Sequence, residues 1–226
     1  MKLGTYAAAL GSIEQQKRLD VIANNIANVN TPGFKKDSVN FSNFLGEVTY
    51  TSMDQGPIRE TGNKQDIALF GNGFLKVQTS QGTKYTRAGN LTFNSSKTLV
   101  NQEGLPVLGK HGPIRINDPA NLRIEEDGQV FDGDNMVDTL DIVQFPSNTV
   151  LKKGQNGNFE PAANDTQPTQ AQNCTVRQGA LEGANFDPVE EMVKMVETSR
   201  NFEVYQKTLQ TFDRDLDGQI ISKLTA

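Results

Sequence analysis

The chain has 226 residues and a formal net charge of −5, and 35% of its side chains are hydrophobic while 22% are charged. This length suits one or two domains, and no apolar run approaches the roughly 18 residues that a membrane-spanning helix needs. The negative charge argues against a nucleic-acid-binding surface, because phosphate groups are bound by clustered positive charge. The composition therefore predicts a soluble protein with no membrane insertion and no nucleic-acid partner.

A helix is predicted over residues 3–29, because apolar side chains recur there at spacings of three and four. These side chains are Leu3, Tyr6, Leu10, Ile13, Leu19, Ile22, Ile26 and Val29. The helix ends at Asn30-Thr31-Pro32-Gly33, since the residue before a proline avoids helical angles and glycine accepts a positive φ.

The middle of the chain alternates with a period of two, which predicts β-strands. Residues 66–78 read as strand, turn and strand, and further strands are expected within 84–93, 98–108 and 139–145. Residues 90–101 and 121–132 resemble each other weakly, which predicts two similar hairpins in one antiparallel sheet. Residues 146–173 are rich in Asn, Gln, Pro, Thr and Gly, so we expect a loop with little core.

A second helix, of about 35 residues, is predicted from Asp187-Pro188 onward, since an acidic cap followed by proline starts helices. Its apolar stripe consists of Val189, Met192, Val196, Phe202, Tyr205, Leu209, Phe212, Leu216 and Ile220. Such an uninterrupted length is typical of a coiled coil.

The predicted fold is therefore α+β, with paired, coiled-coil-like N- and C-terminal helices and an antiparallel β-rich domain inserted between them. The predicted divisions are an N-terminal helix over 1–30, a linker over 31–65, a β-rich domain over 66–184 and a C-terminal helix over 185–226. Each helix alone has too little surface for a core, so we expect them to pack against each other. That packing would place Ile13, Leu19, Ile22 and Ile26 against Val196, Phe202, Leu209 and Phe212.

Both helices also carry apolar residues away from these stripes. They include Ala7, Ala8 and Ala9 in the first helix and Val193, Met195, Val204 and Ile221 in the second. We hypothesise that one face pairs within the chain and another meets neighbouring copies. A wider stripe buried within one chain explains the same periodicity equally well.

Candidate chemical sites are few, because Cys174 and His111 are the only cysteine and histidine. One cysteine allows no disulfide within the chain, and one histidine excludes a multi-histidine metal site. His111 lies in a glycine-rich turn with no acid or nucleophile beside it in sequence, so an enzyme that uses His111 is a remote alternative. We predict no catalytic residue, no cofactor and no metal site.

One segment matches the start of a calcium-binding loop, with acids at Asp213, Asp215 and Asp217 followed by Gly218. The twelfth position of such a loop is a bidentate glutamate, whereas this chain has Leu224. The apolar stripe also continues through the segment. We interpret these acids as a solvated helix face, and a calcium- or glycan-binding surface module is the remaining alternative.

Three segments carry a resemblance to a known family. Residues 19–36 (LDVIANNIANVNTPGFKK) resemble the N-terminal signature of flagellar rod and hook proteins. Residues 179–186 (GALEGANF), with 189–193 and 199–203, resemble the C-terminal pattern, although Ala184 stands where serine is usual and Asn201-Phe202 where Ala-Tyr is frequent. Residues 66–74 and 85–89 resemble the β domain that rod proteins share. The resemblance spans nearly the whole chain.

The resemblance implies a structural axial subunit that assembles helically with copies of itself and with other rod proteins. The chain is too short for a hook protein, and residues 104–114 favour a proximal-rod member, with a distal-rod member as the alternative. It implies location in the basal-body rod across the periplasm, and export by the flagellar type III apparatus without a cleaved signal peptide. The predicted assembly interface consists of Leu19, Ile22, Asn24, Asn25, Ile26, Asn28, Val196, Phe202, Leu209 and Phe212.

Overall fold

A long α-helix lies at each end of the computed structural model, which describes residues 2–41, 47–146, 149–154, 157–162 and 167–224. Helix α1 spans Lys2–Ala27 and helix α2 spans Pro188–Leu224. Short antiparallel strands fill the sequence between them. The fold is therefore α+β, as predicted. Within the described residues, neither helix has a stretch apolar and long enough to span a membrane.

Nineteen strands are present in the described part of the chain. They are β1 (Asp37–Phe41), β2 (Glu47–Thr51), β3 (Ile58–Glu60), β4 (Ile67–Phe70), β5 (Phe74–Thr79), β6 (Gly82–Thr86), β7 (Thr92–Phe93), β8 (Leu99–Val100), β9 (Leu108–Gly109), β10 (Gly112–Pro113), β11 (Leu122–Ile124), β12 (Gln129–Asp132), β13 (Asn135–Thr139), β14 (Ile142–Gln144), β15 (Leu151–Lys153), β16 (Asn158–Pro161), β17 (Thr169–Gln170), β18 (Thr175–Gln178) and β19 (Ala180–Glu182). The largest sheet has the order β15-β16-β6-β5-β14-β17.

The chain divides into two units. The helical unit takes 1–28, 37–52 and 186–226, and so contains α1, the β1–β2 hairpin and α2. The β unit takes 29–36 and 53–185 and contains all other strands. The segment expected to be a linker, 31–65, forms strands β1, β2 and β3. The domain limits given by the sequence remain a prediction.

An aliphatic core fills the β unit, as alternating strand patterns predict. Val77, Val107 and Ile116 have no exposed surface, and Leu75 and Ile67 are almost fully buried. The predicted strand–turn–strand over 66–78 is present as β4 and β5, and both strands contribute to this core.

A second, aromatic cluster shows that the loop expected over 146–173 is a wrong prediction. Phe159 on β16 is fully buried and packs edge-on against Phe74, with ring centroids 5.6 Å apart. Strands β15, β16 and β17 supply three of the six strands of the largest sheet. The polar composition concealed them because β15 and β17 lie at the sheet edges, where side chains are largely solvated.

The two predicted hairpins are present, but they do not share a sheet. Strand β7 pairs with β8 as a two-stranded sheet, whereas β11 and β12 continue to β13 in a three-stranded sheet. Pro106 forms an isolated bridge opposite Val100, and proline has no N–H group with which to continue a ladder. The first hairpin therefore joins its neighbours through isolated bridges, such as that between Thr98 and Arg115, and not through a longer ladder.

Candidate functional site: the helix faces and a buried charge cluster

Helices α1 and α2 touch through two glycines on α1. A Cβ atom placed on Gly11 would lie 2.5 Å from the Tyr205 ring, and one placed on Gly4 would lie 3.2 Å from the Phe212 ring. Glycine weakens a helix interior by about 1 kcal/mol relative to alanine. At these two positions the loss is accompanied by close packing of the aromatic rings of α2 against the α1 backbone. Residue numbers in contact rise along α1 and fall along α2, so the two helices pack antiparallel.

A spacing of seven residues relates the contacting positions on both helices. Gly4 and Gly11 are seven apart, as are Tyr205 and Phe212. The Gln206 amide also donates a hydrogen bond of 3.0 Å to the Ser12 hydroxyl, which is buried. In this half of the contact, α1 supplies small residues and α2 supplies large ones.

The other half of the contact is polar on α2. Glu191 and Thr198, seven residues apart, are both buried, and with Ile22 they line a groove between α1, β1 and α2. Lys194 lies 2.7 Å from Glu190 and 3.3 Å from Glu191, and the hydrogen bond to Glu190 raises the pKa of its ammonium group.

Asn25 fixes the end of α1 to strand β1. Its side-chain amide donates to the Asp37 carbonyl at 2.9 Å, and its side-chain oxygen accepts from the Asp37 N–H at 3.0 Å. The side chain is 1% exposed. An amide can donate and accept at once, so Asn25 satisfies both backbone groups of Asp37 in the way a neighbouring strand would.

Over the first half of each helix, the predicted apolar stripe lies on the exposed face and not on the buried face. Tyr6 and Ile13 on α1 are 58% and 56% exposed, and Val189 and Val196 on α2 are 67% and 52% exposed. The expectation that Ile13 and Val196 are buried within the chain is therefore wrong. Among the helical unit's described side chains, the buried ones are Ala8, Ser12, Asn25, Glu191 and Thr198.

A break in the periodicity explains this error. The step from Ile13 to Leu19 is six residues, as is the step from Val196 to Phe202. Six residues rotate a position by about 240° around a helix, so each apparent stripe is two stripes on different faces. Counting spacings of three, four or seven only would have separated them.

The predicted interface residues are spread over both faces. Leu19, Ile22, Ile26, Phe202, Leu209 and Phe212 are half-buried, and Val196 is exposed. Asn24 is exposed, while Asn28 is half-buried and donates to the Asn24 carbonyl at 2.9 Å. Their role in assembly remains a prediction.

A cluster of buried charges lies in the β unit. The Lys35 ammonium, with no exposed surface, donates to Glu182 Oε1 at 2.7 Å and to the Asp54 carbonyl at 2.6 Å. The Gly56 N–H also donates to Glu182 Oε1, at 2.9 Å. Burial lowers the pKa of Lys35, and the facing carboxylate of Glu182 opposes that shift.

Arg87 completes this cluster. Its Nη1 lies 3.3 Å from Glu182 Oε2, and the guanidinium donates to the carbonyls of Leu69 and Gly71. Burial lowers the pKa of Arg87, and Glu182 opposes the shift.

Gly33 lies directly against the backbone of Arg87. It has φ +68°, and a Cβ atom there would lie 2.5 Å from the Arg87 carbonyl carbon. Its N–H donates to the Glu182 carbonyl at 2.7 Å. Only glycine fits both the left-handed angle and this approach.

The charge cluster ties together three distant segments, around residues 33–36, 87 and 182. Sequence reasoning missed it, although all three segments had been singled out for their resemblance to flagellar proteins. The available signal was a charged residue beside glycine and apolar neighbours, as with Lys35 after Gly33-Phe34. Charges that are paired and hydrogen-bonded in this way hold backbone segments in place.

The remaining candidate chemical groups lie elsewhere in the β unit. The exposed His111 ring contacts Asp138 at 2.9 Å from its Nδ1, although this acid lies far from His111 in sequence. Burial opposes ionisation of Asp138, but hydrogen bonds from His111 and Thr139 lower its pKa overall. Burial raises the pKa of the Cys174 thiol.

No group of three or more His, Cys, Asp or Glu residues arranged for a metal ion occurs among the described residues. The backbone of the segment that resembles a calcium loop, 213–224, is part of helix α2. Most side chains of that segment lie outside the described residues.

Three regions of the chain match known protein families. Residues 6–35 match the family described as "Flagella basal body rod protein". Residues 68–131 match "Flagellar hook protein FlgE/F/G D1 domain", and residues 177–220 match "Flagellar basal body rod FlgEFG protein C-terminal".

Individual relatives are similar in sequence to this chain over most of its length. It is 32% identical to the flagellar basal-body rod protein FlgF of Mesorhizobium japonicum over 219 residues, 90% of either chain. The chain belongs to the flagellar basal-body rod protein family. Its identity to FlgF of Caulobacter vibrioides is 32% over 90% of this chain and 91% of that one. Its identity to FlgG of Bacillus subtilis is 30% over 93% of this chain and 95% of that one.

Membership of the rod family makes the protein a structural component of the flagellar basal body and not an enzyme. Each of the three matched regions contributes one member of the charge cluster: Lys35, Arg87 and Glu182. The helices α1 and α2 carry the first and third matches. The parts of the chain that resemble rod proteins are thus the parts that build the two features described above.

Proposed function

We propose that the protein is a FlgF-like subunit of the proximal rod, which assembles helically and transmits torque across the periplasm towards the hook and filament. One observation carries this proposal: Tyr6 and Ile13 on α1 and Val189 and Val196 on α2 are more than half exposed, while the fully buried side chains that the structure describes in the helical unit are small or polar. Exposed apolar side chains that share one helix face mark an interaction site. A rod subunit needs such surface on its helices, because neighbouring subunits must cover it.

The proposal includes a coiled-coil-like pairing of α1 and α2 within each subunit. The contacts at Gly4 and Gly11 with Phe212 and Tyr205 support it, since positions seven residues apart stay on one side of a supercoiled helix. Half-buried Ile22 and Leu209 would lie in this pairing. The interface with other subunits would use exposed residues such as Val196.

The assignment to the proximal rod rests on the lengths of the alignments with FlgF and FlgG relatives. The alignments to the FlgF relatives span 219 to 234 positions. Those to the FlgG relatives span 251 to 260 positions, so FlgG relatives require more gaps in this chain. A distal-rod role is the alternative, because the identity to FlgG is nearly as high.

The proposed partners are copies of this chain, other rod proteins and the flagellar type III export apparatus. Passage through an export channel requires an unfolded chain, and a single cysteine leaves no disulfide within the chain to oppose unfolding. No cofactor enters this function.

Deletion of the gene, followed by imaging of purified basal bodies, tests the proposal. We expect loss of swimming and rods truncated near the proximal segment, with recovery when the intact gene is returned. Basal bodies with a proximal rod but no distal part would assign the chain to the distal rod instead. Normal basal bodies on swimming cells would contradict a rod function.

A further inference from the structure

Two exposed apolar faces lie on different helices of the helical unit. The α1 face consists of Tyr6 and Ile13, and the α2 face consists of Val189, Met192, Val193 and Val196; each of these side chains is more than half exposed. In each face the first and last residues are seven positions apart, which is about 10 Å along a helix. The two faces are therefore matched in length.

Each face lies opposite the contact between the helices. Ile13 is two residues beyond Gly11, and Val196 is two residues before Thr198. Two residues correspond to about 200° around a helix, so both apolar faces point away from the buried face of their own helix. The helix pair within one chain therefore leaves both uncovered.

The two faces also lie at opposite ends of the contact. Gly4 lies against Phe212 and Gly11 against Tyr205, so the α1 face is level with residues near 206 of α2. The centre of the α2 face lies about 14 residues from residue 206 along α2. At ~1.5 Å per residue, this separation is about 20 Å. A single copy cannot bring the two faces together.

The charges on the segments that carry these faces are complementary. Residues 2–18 contain three basic residues and one acidic residue: Lys2, Lys17, Arg18 and Glu14. Residues 188–204 contain four acidic and two basic residues: Glu190, Glu191, Glu197, Glu203, Lys194 and Arg200. Opposite net charge favours the association of these segments and disfavours contact of either segment with its own kind.

We propose that the α1 face of one copy docks antiparallel on the α2 face of a second copy, with a stagger of about 20 Å along the helices. This inference rests on the proposed rod function and specifies its subunit contact. Because the two faces differ, the contact is head-to-tail, and repeated head-to-tail contacts produce an open helical stack. The docking places Tyr6 near Val196 and Ile13 near Val189 of the next copy.

Cysteine cross-linking in the parent bacterium tests the contact. Cys174→Ser supplies the background, and Ile13→Cys together with Val189→Cys supplies the pair. Oxidation of purified basal bodies should give a ladder of multimers from the double variant and only monomers from either single variant. Met136→Cys with Val189→Cys is the matched control, since Met136 is as exposed as Ile13 but lies in the β unit; it should give no ladder.

Each other outcome overturns a defined part of this inference. Dimers from a single variant would mean that like faces meet. Cross-links to a different protein would replace the second copy as the occupant. Basal bodies that contain the chain but give no ladder would overturn the contact and leave the rod function standing. Swimming cells whose basal bodies lack the chain would overturn the rod function itself.

Charge substitutions provide a second measurement that does not depend on cysteine geometry. Ile13→Glu and Val193→Glu should each abolish swimming, because a carboxylate cannot be buried unpaired in an apolar contact. Met136→Glu should leave swimming intact. Full swimming by both helix variants would overturn the docking.

Discussion

In the β unit the fully buried side chains are mostly aliphatic, such as Val77 and Ile116, and they pack among themselves. In the helical unit the buried side chains that the structure describes are Ser12, Asn25, Glu191, Thr198 and a single alanine. The β unit thus contains its own source of stability, since burial of apolar surface is the main favourable term in folding. The helical unit leaves several apolar side chains exposed, such as Ile13 and Val196, so it gains less stability from burial within its own chain.

The largest effect is expected when the carboxylate of the buried charge cluster in the β unit is removed. Glu182→Leu leaves Lys35 and Arg87 buried without their carboxylate, and we expect a loss of about 3–5 kcal/mol in the free energy of unfolding. Urea unfolding followed by circular dichroism measures it.

Glu160→Leu is the matched control for Glu182→Leu. Glu160 pairs with Lys84 at 2.7 Å but is 47% exposed, so its removal should cost at most about 1 kcal/mol. Equal stability of the two variants would show that the buried cluster contributes no more than a surface ion pair.

The second prediction compares truncation to alanine at a buried position of the β unit and an exposed position of the helical unit. Leu75→Ala removes a side chain that is 1% exposed and should cost about 3 kcal/mol, because it leaves a cavity. Val193→Ala changes an exposed side chain and should alter the unfolding free energy by no more than about 0.5 kcal/mol. A large loss from Val193→Ala in the isolated chain would mean that α2 is covered within its own chain.

The third prediction concerns the polar interior of the helical unit. Asn25→Ala removes both hydrogen bonds to the Asp37 backbone and leaves that backbone unsatisfied, at a cost of about 2 kcal/mol. Asn24→Ala, at the exposed neighbouring position, should change stability by less than about 0.5 kcal/mol. Thermal unfolding followed by helical circular dichroism distinguishes them, and equal midpoints would refute a structural role for Asn25.

Local patterns predicted the helices and the first strands well. The helix predicted over 3–29 is observed as Lys2–Ala27, and the one predicted from Asp187-Pro188 begins at Pro188. Helix ends depend on nearby residues, such as Pro32 and Gly33, which can be read directly. The sequence could not show which face is covered, because periodicity reports an apolar stripe but not its partner.

Long-range features escaped prediction for a different reason. Lys35, Arg87 and Glu182 are brought together by chain segments that are distant in sequence, and no local spacing relates them. Phe159 was missed because its neighbours are polar, although an isolated aromatic residue in such a segment is a candidate core residue. The resemblance to rod proteins marked the right segments without revealing their contacts.

The smallest effect is expected at Asp138, where the fold of the β unit depends on pH. Burial opposes ionisation of its carboxylate, but the His111 ring at 2.9 Å and the backbone N–H groups of Thr139 and His111 at 2.7 and 3.1 Å hold its pKa below the ordinary value. A lowered pKa in the folded state stabilises the protein above the unfolded pKa of about 4, and this contribution disappears as the pH falls through the folded value. Asp138→Asn should therefore cost about 1 kcal/mol near neutral pH, and this cost should shrink as the pH falls towards 2.5.

His111→Ala separates the contributions of these bonds, because it removes the ring contact and retains the backbone N–H. It should lower stability less than Asp138→Asn does, and it should leave swimming unchanged, since the exposed ring has no catalytic task in a structural protein. Urea midpoints of both variants at the two pH values measure the difference. A cost of Asp138→Asn that stays constant down to pH 2.5 would mean that the backbone bonds do not require the ionised carboxylate.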